Sequence, residues 1–130
     1  PLSVTTPGIS RKVITVGCSD DDREVLVGGN RMVDYSGRGP TAACICKPDL
    51  VAPGCSVVSC SSRADKYTIK SGTSMSTPIV SGAVALLLER FPDMSNKDVK
   101  LRLRESSVDI GLPRNQQGWG LLDVGKMLER

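Results

Sequence analysis

The chain has 130 residues, of which 39% are hydrophobic and 24% are charged, a composition typical of one globular domain. Its net charge is only +3 and aromatic residues make up 3%, which argues against a nucleic-acid partner. The longest apolar run, residues 83–88, is too short to span a bilayer, so we expect no membrane association. The first ten residues lack a signal-peptide pattern, and the chain does not begin with Met.

The first half of the chain predicts short β-strands separated by turns. Runs rich in β-branched residues, bounded by Gly, Pro or Ser, predict strands over residues 12–20, 49–54, 56–60 and 66–70. Between the first two strands, a charged and glycine-rich segment predicts a surface loop in which residues 25–27 are extended.

The second half predicts helices. They cover residues 74–91, residues 95–106 with Ser95 as N-cap and Asp98 as its capping partner, and residues 123–130. Strands followed by helices indicate an α/β layered fold. The first helix is apolar on nearly all sides, which predicts that it is buried. Because four short strands cannot cover such a helix, the chain looks like part of a larger core.

Five cysteines are present, and this odd number leaves at least one thiol unpaired in a monomer: Cys18, Cys44, Cys46, Cys55 and Cys60. We interpret them as reduced, mostly buried thiols, and we expect Cys44 and Cys46 to be neighbours on one strand. Reduced thiols weakly favour a cytoplasmic location. A zinc site built from the last four cysteines is an alternative, although they lack the usual paired spacing.

The stretch "IKSGTSMSTPIVSGAVALLLERF", which begins at Ile69, places hydroxyl side chains at the start of the apolar helix. Ser and Thr are common N-cap residues, so Thr73, Ser74 or Ser76 could simply cap the helix. A serine at a helix N-terminus also lies beside amide donors that can hold a developing oxyanion, which suits a nucleophile. A phosphate-binding loop is a weaker alternative, because the Gly-x-x-x-x-Gly-Lys pattern is missing.

The stretch "SGTSMSTPIVSGAVALL" from Ser71 resembles the nucleophile motif of subtilisin-like serine proteases, Gly-Thr-Ser-Met-[Ala/Ser]-x-Pro followed by a helix of small residues. Four further stretches follow the order of that family: "VITVGCSD" from Val13, "YSGRGP" from Tyr35, "KPDLVAPG" from Lys47 and "GWGLLDVGKML" from Gly118. The resemblance therefore covers essentially the whole chain.

The resemblance implies a partial subtilisin-like three-layer fold, with a mostly parallel sheet and a buried central helix, incomplete in this chain. Residues 1–130 would be the C-terminal portion of the peptidase domain. Ser74 would be the nucleophile that attacks a peptide or protein substrate, its backbone N–H would be one oxyanion donor, and Thr73 would lie beside that site.

The family's Asp and His lie before the serine, and this chain contains no histidine. We do not assign the oxyanion role to Asn30, because it follows the "VITVG" strand instead of preceding it. We therefore expect an inactive isolated chain whose partner is the missing N-terminal half of the domain, and an exposed apolar surface that favours self-association. A non-catalytic binding or regulatory module derived from a subtilase is the alternative, and a thiol or metal protein is a third.

Cofactors and location are also constrained by the resemblance. Family members often bind calcium or a monovalent ion through backbone carbonyls near the stretch that matches residues 6–13. Arg11 and Lys12 bring positive charge there, so we expect no metal and no cofactor in this chain, while calcium is compatible with the full-length protein. The family also includes secreted enzymes, so the resemblance allows a secreted protein, whereas the odd cysteine count favours the cytoplasm.

Overall fold

The computed structural model of the chain describes residues 2–20, 31–32, 36–63 and 66–130. The extended piece predicted at residues 25–27 lies outside these ranges. The described strands are β1 (Val16–Asp20), β2 (Arg31–Met32), β3 (Leu50–Pro53), β4 (Val57–Cys60) and β5 (Tyr67–Lys70). The described helices are α1 (Thr73–Arg90), α2 (Asn96–Ser106), α3 (Arg114–Gln117) and α4 (Val124–Leu128).

The strands form two separate sheets. In the first, β1 lies between its two partners, parallel to β3 and antiparallel to β2. The parallel register runs from Val16 opposite Leu50 to Ser19 opposite Pro53. In the second, β4 and β5 pair as an antiparallel hairpin that leads directly into α1. The four predicted strands are confirmed with shorter bounds, whereas β2 and the short helix α3 were not predicted.

The core lies between α1 and the sheet, and it continues under α2 and α4. β3 is completely buried over Leu50, Val51 and Ala52, as expected for a strand covered on both faces. The buried apolar side chains that pack together are Leu50, Ala52, Val80, Ala83, Leu87, Val99, Leu103 and Met127. The α/β class is therefore confirmed, and α1 packs directly on the sheet.

The described residues cover α1 on one side only. Its buried residues are Ser76, Val80, Ala83 and Leu87, which recur at helical spacing and face the sheet. The opposite side is exposed, and 48% of Leu86 is accessible there. The apolar composition of α1 predicted that the helix is buried on all sides. The described elements cover only one of its faces.

The cysteines differ from the prediction. Only Cys18 is buried, whereas Cys44, Cys46 and Cys60 are exposed, and no disulfide joins any of them. Cys44 and Cys46 are not strand neighbours, because the chain there is irregular and Cys44 has a positive φ of 57°. Among the described residues, no group of three or more His, Cys, Asp or Glu side chains is placed to hold a metal ion.

Candidate active site

Ser74 lies in the first turn of α1, with its side chain exposed to solvent. The N-cap is Gly72, whose φ of 146° belongs to the region that favours glycine, and no side chain caps the helix. The interpretation of Thr73, Ser74 or Ser76 as a capping residue is therefore wrong. Within the described part of the chain, the Ser74 hydroxyl has no hydrogen-bond partner.

The backbone around Ser74 leaves donors available. The amides of Met75 and Ser76 both donate to the carbonyl of Gly72, at 2.9 Å and 3.3 Å. The amides of Thr73 and Ser74 donate to no acceptor among the described residues, as is usual at the start of a helix. Thr73, which supplies one of these two donors, is half-buried.

The first turn of α1 is tied to the end of β3. The fully buried Ser76 donates its hydroxyl to the Ala52 carbonyl at 2.9 Å, and the Gly72 amide donates to the Gly54 carbonyl at 2.8 Å. Gly54 is itself buried, and a Cβ there would overlap Ser76 Oγ, so only glycine permits this close approach. These contacts hold the turn in place while Ser74 faces outwards.

Ser74 also lines a groove of about 550 Å³. One wall is the start of α1, with Thr73 and Thr77, and the other is built from residues 3–8 and 13–16, which lie some sixty residues earlier in the chain. Ser36, Gly37 and Pro48 also line it. The sequence signal for the second wall is the Thr-, Pro- and Gly-rich stretch near the N-terminus, for which the sequence predicted no role beside Ser74.

A buried ion pair is hydrogen-bonded to the groove wall that contains residues 13–16. Lys47 and Asp49 flank the groove residue Pro48, and their Nζ and Oδ2 atoms are 2.6 Å apart. Lys47 Nζ also donates to the Val13 carbonyl at 3.0 Å, and the Thr15 amide donates to Asp49 Oδ2 at 2.7 Å. Because each charge is paired and hydrogen-bonded, the pair can be buried beside the groove without leaving an uncompensated charge.

The structure therefore brings together two of the residues that the sequence singled out. Ser74 and Thr73 both line the groove, and their catalytic roles stay predictions. Asn30 lies outside the described residues.

No helix in the described part of the chain combines the length and apolar character needed to cross a membrane.

Comparison with known proteins identifies the family to which this chain belongs. The profile of the subtilase family matches residues 1–120, and the chain belongs to this family of serine proteases. Serine protease AprX of Bacillus subtilis is 37% identical over 118 residues, which cover 81% of this chain and 27% of AprX. The halolysin-like extracellular serine protease Nep of Natrialba magadii is 33% identical over 94% of this chain and 20% of Nep.

A solved structure shows the same fold. The CspB protease of Clostridium perfringens superimposes with a TM-score of 0.80 at 30% identity, over 97% of this chain and 28% of the CspB chain. The predicted subtilisin-like fold is thereby confirmed. The chain spans between about a fifth and somewhat over a quarter of the length of these relatives.

Proposed function

We propose that this chain carries the nucleophile of a serine endopeptidase, as the C-terminal portion of its catalytic domain, with Ser74 as the attacking residue. The observation that carries the proposal is the start of α1, which no side chain caps. There an exposed serine hydroxyl lines a groove beside two amides that have no acceptor among the described residues. Membership of the subtilase family supports the same reaction class.

In the proposed reaction, Ser74 Oγ attacks the carbonyl carbon of a peptide bond and passes its proton to a base. The backbone N–H of Ser74 donates to the resulting oxyanion, and the neighbouring Thr73 amide lies at the same helix end. Collapse of the intermediate breaks the C–N bond, the base protonates the leaving amine, and an acyl group remains on Ser74. Water then hydrolyses this ester and regenerates the hydroxyl.

We propose that the base comes from other polypeptide, because the base in this family's triad is a histidine and the chain has none. We propose that this polypeptide is the missing N-terminal half of the domain, and that the isolated chain is inactive. A serine hydroxyl without an adjacent base is a weak nucleophile. The exposed side of α1 is a surface against which further polypeptide can pack.

A fluorophosphonate probe tests the proposal directly. We expect no rapid labelling of the isolated chain, and stoichiometric labelling of Ser74 when the chain is joined to the base-bearing half. Ser74→Ala should abolish that labelling, whereas Ser81→Ala, an exposed serine on the same helix, should leave it unchanged. Rapid labelling of the isolated chain would refute its inactivity, and an unreactive Ser74 in the joined protein would refute the proposed function.

We propose no cofactor for this chain. Two backbone carbonyls of the segment 6–13 already accept hydrogen bonds from ammonium groups. Lys100 Nζ donates to the Arg11 carbonyl at 2.8 Å and Lys47 Nζ donates to the Val13 carbonyl at 3.0 Å. A metal ion bound at either of these two carbonyls would lie beside an ammonium group, and the like charges would repel.

A second candidate is a non-catalytic binding module, favoured by an apolar face on the β4–β5 hairpin. Val58 and Ile69 pair across the hairpin and are 64% and 65% exposed. An unpartnered apolar face of this kind is typical of an interaction surface. If the protein acted only by binding, Ser74→Ala in the joined protein would leave its biological activity intact.

A further inference from the structure

We propose that a basic groove between α2 and the segment before β1 binds an acidic segment of the protein substrate. This role rests on the proposed function of Ser74 and adds a contact away from the cleaved bond. The basic groove has a volume of about 550 Å³. Of the six described residues that line it, four are basic and none is acidic: Arg11, Lys12, Ile14, Asn96, Lys97 and Lys100.

The basic groove is formed by two segments that are far apart in the sequence. Arg11 and Lys12 precede β1, whereas Lys97 and Lys100 lie in α2. Lys100 Nζ donates to the Arg11 carbonyl at 2.8 Å, and this hydrogen bond ties one wall to the other. The two walls are therefore held together before a ligand binds, which reduces the entropy cost of binding.

The positive charges of the basic groove are not neutralised within the described part of the chain. None of its four basic side chains forms an ion pair there. The acidic residue next to Lys97, Asp98, is outside the groove lining, and its Oδ2 atom accepts hydrogen bonds from the Ser95 amide and hydroxyl. Four like charges around one groove create a positive potential, which a negatively charged ligand relieves.

The chemistry of the basic groove favours a peptide that carries carboxylates. Single-stranded nucleic acid stacks its bases on aromatic side chains, and no described residue that lines the groove is aromatic. A membrane-binding surface inserts apolar side chains into the lipid, whereas Ile14, the one apolar residue among the described lining residues, is half-buried. An extended peptide can place Asp or Glu side chains against the ammonium groups while its apolar atoms pack on the lysine stems.

Ile14 connects the basic groove to the groove that Ser74 lines, because it contributes to both linings. A polypeptide bound at Ser74 can therefore reach the basic groove through an extension of its chain. Contacts away from the reacting bond stabilise the bound substrate and the transition state equally. They should therefore lower KM and leave kcat unchanged.

Binding is tested first without catalysis, on the chain joined to its base-bearing half and carrying Ser74→Ala. The probe is a fluorescent peptide with a block of glutamates, and a matched peptide with glutamines is its control. We expect the glutamate peptide to bind about tenfold more tightly at low salt, measured by fluorescence anisotropy, and to lose this advantage as NaCl is added.

Two double variants of the same joined protein locate the binding site. Lys12→Gln with Lys97→Gln should weaken binding of the glutamate peptide about tenfold, because two ion pairs are lost. Arg104→Gln with Lys126→Gln removes the same charge from exposed positions that do not line the basic groove. This control should change the affinity by about twofold at most, since exposed charges outside the site are screened by salt.

Kinetics of the joined protein with an intact Ser74 then test the link to the substrate. The glutamate block is attached to a cleavable peptide through glycine-serine linkers of several lengths, on either side of the cleaved bond. At the best linker length KM should fall about tenfold with kcat unchanged, because the second contact becomes intramolecular. Lys12→Gln with Lys97→Gln should remove this gain.

The outcomes separate this proposal from the proposed function. Equal binding of the two peptides, or equal losses in the two double variants, would overturn the basic groove as a binding site. Tighter binding of an oligothymidylate or of phosphatidylserine vesicles, lost only in Lys12→Gln with Lys97→Gln, would overturn the assignment to a peptide. A KM that the glutamate block leaves unchanged would overturn the role in substrate binding. Failure of Ser74 to react with a fluorophosphonate would refute the proposed function, whereas the anisotropy result does not depend on that reaction.

Discussion

Ser74 and Ser76 lie two residues apart in one helical turn, yet they face opposite environments. Ser74 is exposed in the groove, whereas Ser76 is fully buried and donates to the Ala52 carbonyl at 2.9 Å. The helical rotation of about 100° per residue separates the two side chains. The buried hydroxyl therefore anchors the turn that presents the exposed one.

Ser76→Ala should destabilise the chain because it removes a buried hydrogen bond and leaves the Ala52 carbonyl without that donor. We expect the free energy of unfolding to fall by about 1 kcal/mol relative to Ser81→Ala, measured by urea denaturation. Ser81→Ala is the matched control, since it makes the same change at an exposed position of α1 and shares any gain in helix propensity. Equal stabilities of the two variants would show that the Ser76 hydrogen bond contributes nothing.

At the scale of the element, α2 shows how a local pattern predicts structure. The sequence "SNKD" predicted a cap, and the structure contains the full capping box. The Ser95 hydroxyl accepts from the Asp98 amide at 3.2 Å, and Asp98 Oδ2 accepts from the Ser95 amide at 2.9 Å. Asp98 Oδ2 also accepts from the Ser95 hydroxyl at 2.6 Å. All partners lie within four residues, so no tertiary information was needed.

The pKa of the Asp98 carboxyl is lowered from its ordinary value of 3.8, first by the hydrogen bond from the Ser95 hydroxyl and then by that from the Ser95 amide. The stabilisation is therefore present above pH 3.8 and is lost as the pH falls through the lower pKa of the folded state. Ser95→Ala should raise the pKa of Asp98 towards 3.8, measured by NMR titration of the carboxyl carbon. Asp109, whose pKa is lowered by the Gly111 amide and the Gln117 side chain, is the internal control and should not move.

At the scale of the whole molecule, the structure leaves apolar surface uncovered on two elements. The hairpin exposes Val58, Tyr67 and Ile69, and α1 exposes Leu86 on the side away from the sheet. Alternation along the strands places the three hairpin side chains on one face. A chain that spans about a quarter of the length of AprX and CspB has few elements with which to cover them.

The isolated chain should therefore self-associate through the hairpin face. We expect Val58→Thr with Ile69→Thr to raise the dissociation constant about tenfold, measured by sedimentation velocity over a range of concentrations, because burial of apolar area is lost. Thr keeps the β-branched shape that suits a strand, so the hairpin should persist. Leu101→Gln, at an exposed apolar position on α2, should have little effect, and a wild-type chain that stays monomeric would contradict the prediction.

The sequence by itself determined the α/β class, the four main strands, the limits of α1 and α2 and the position of Ser74 at a helix start. These features depend on periodicity, caps and a short motif, which act over a few residues. Only the tertiary structure decided which hydroxyl faces the groove, which thiols are exposed and how residues 3–8 come to lie opposite α1. Those outcomes depend on packing between segments far apart in the chain. The local patterns around these residues do not specify which distant segment will pack against them.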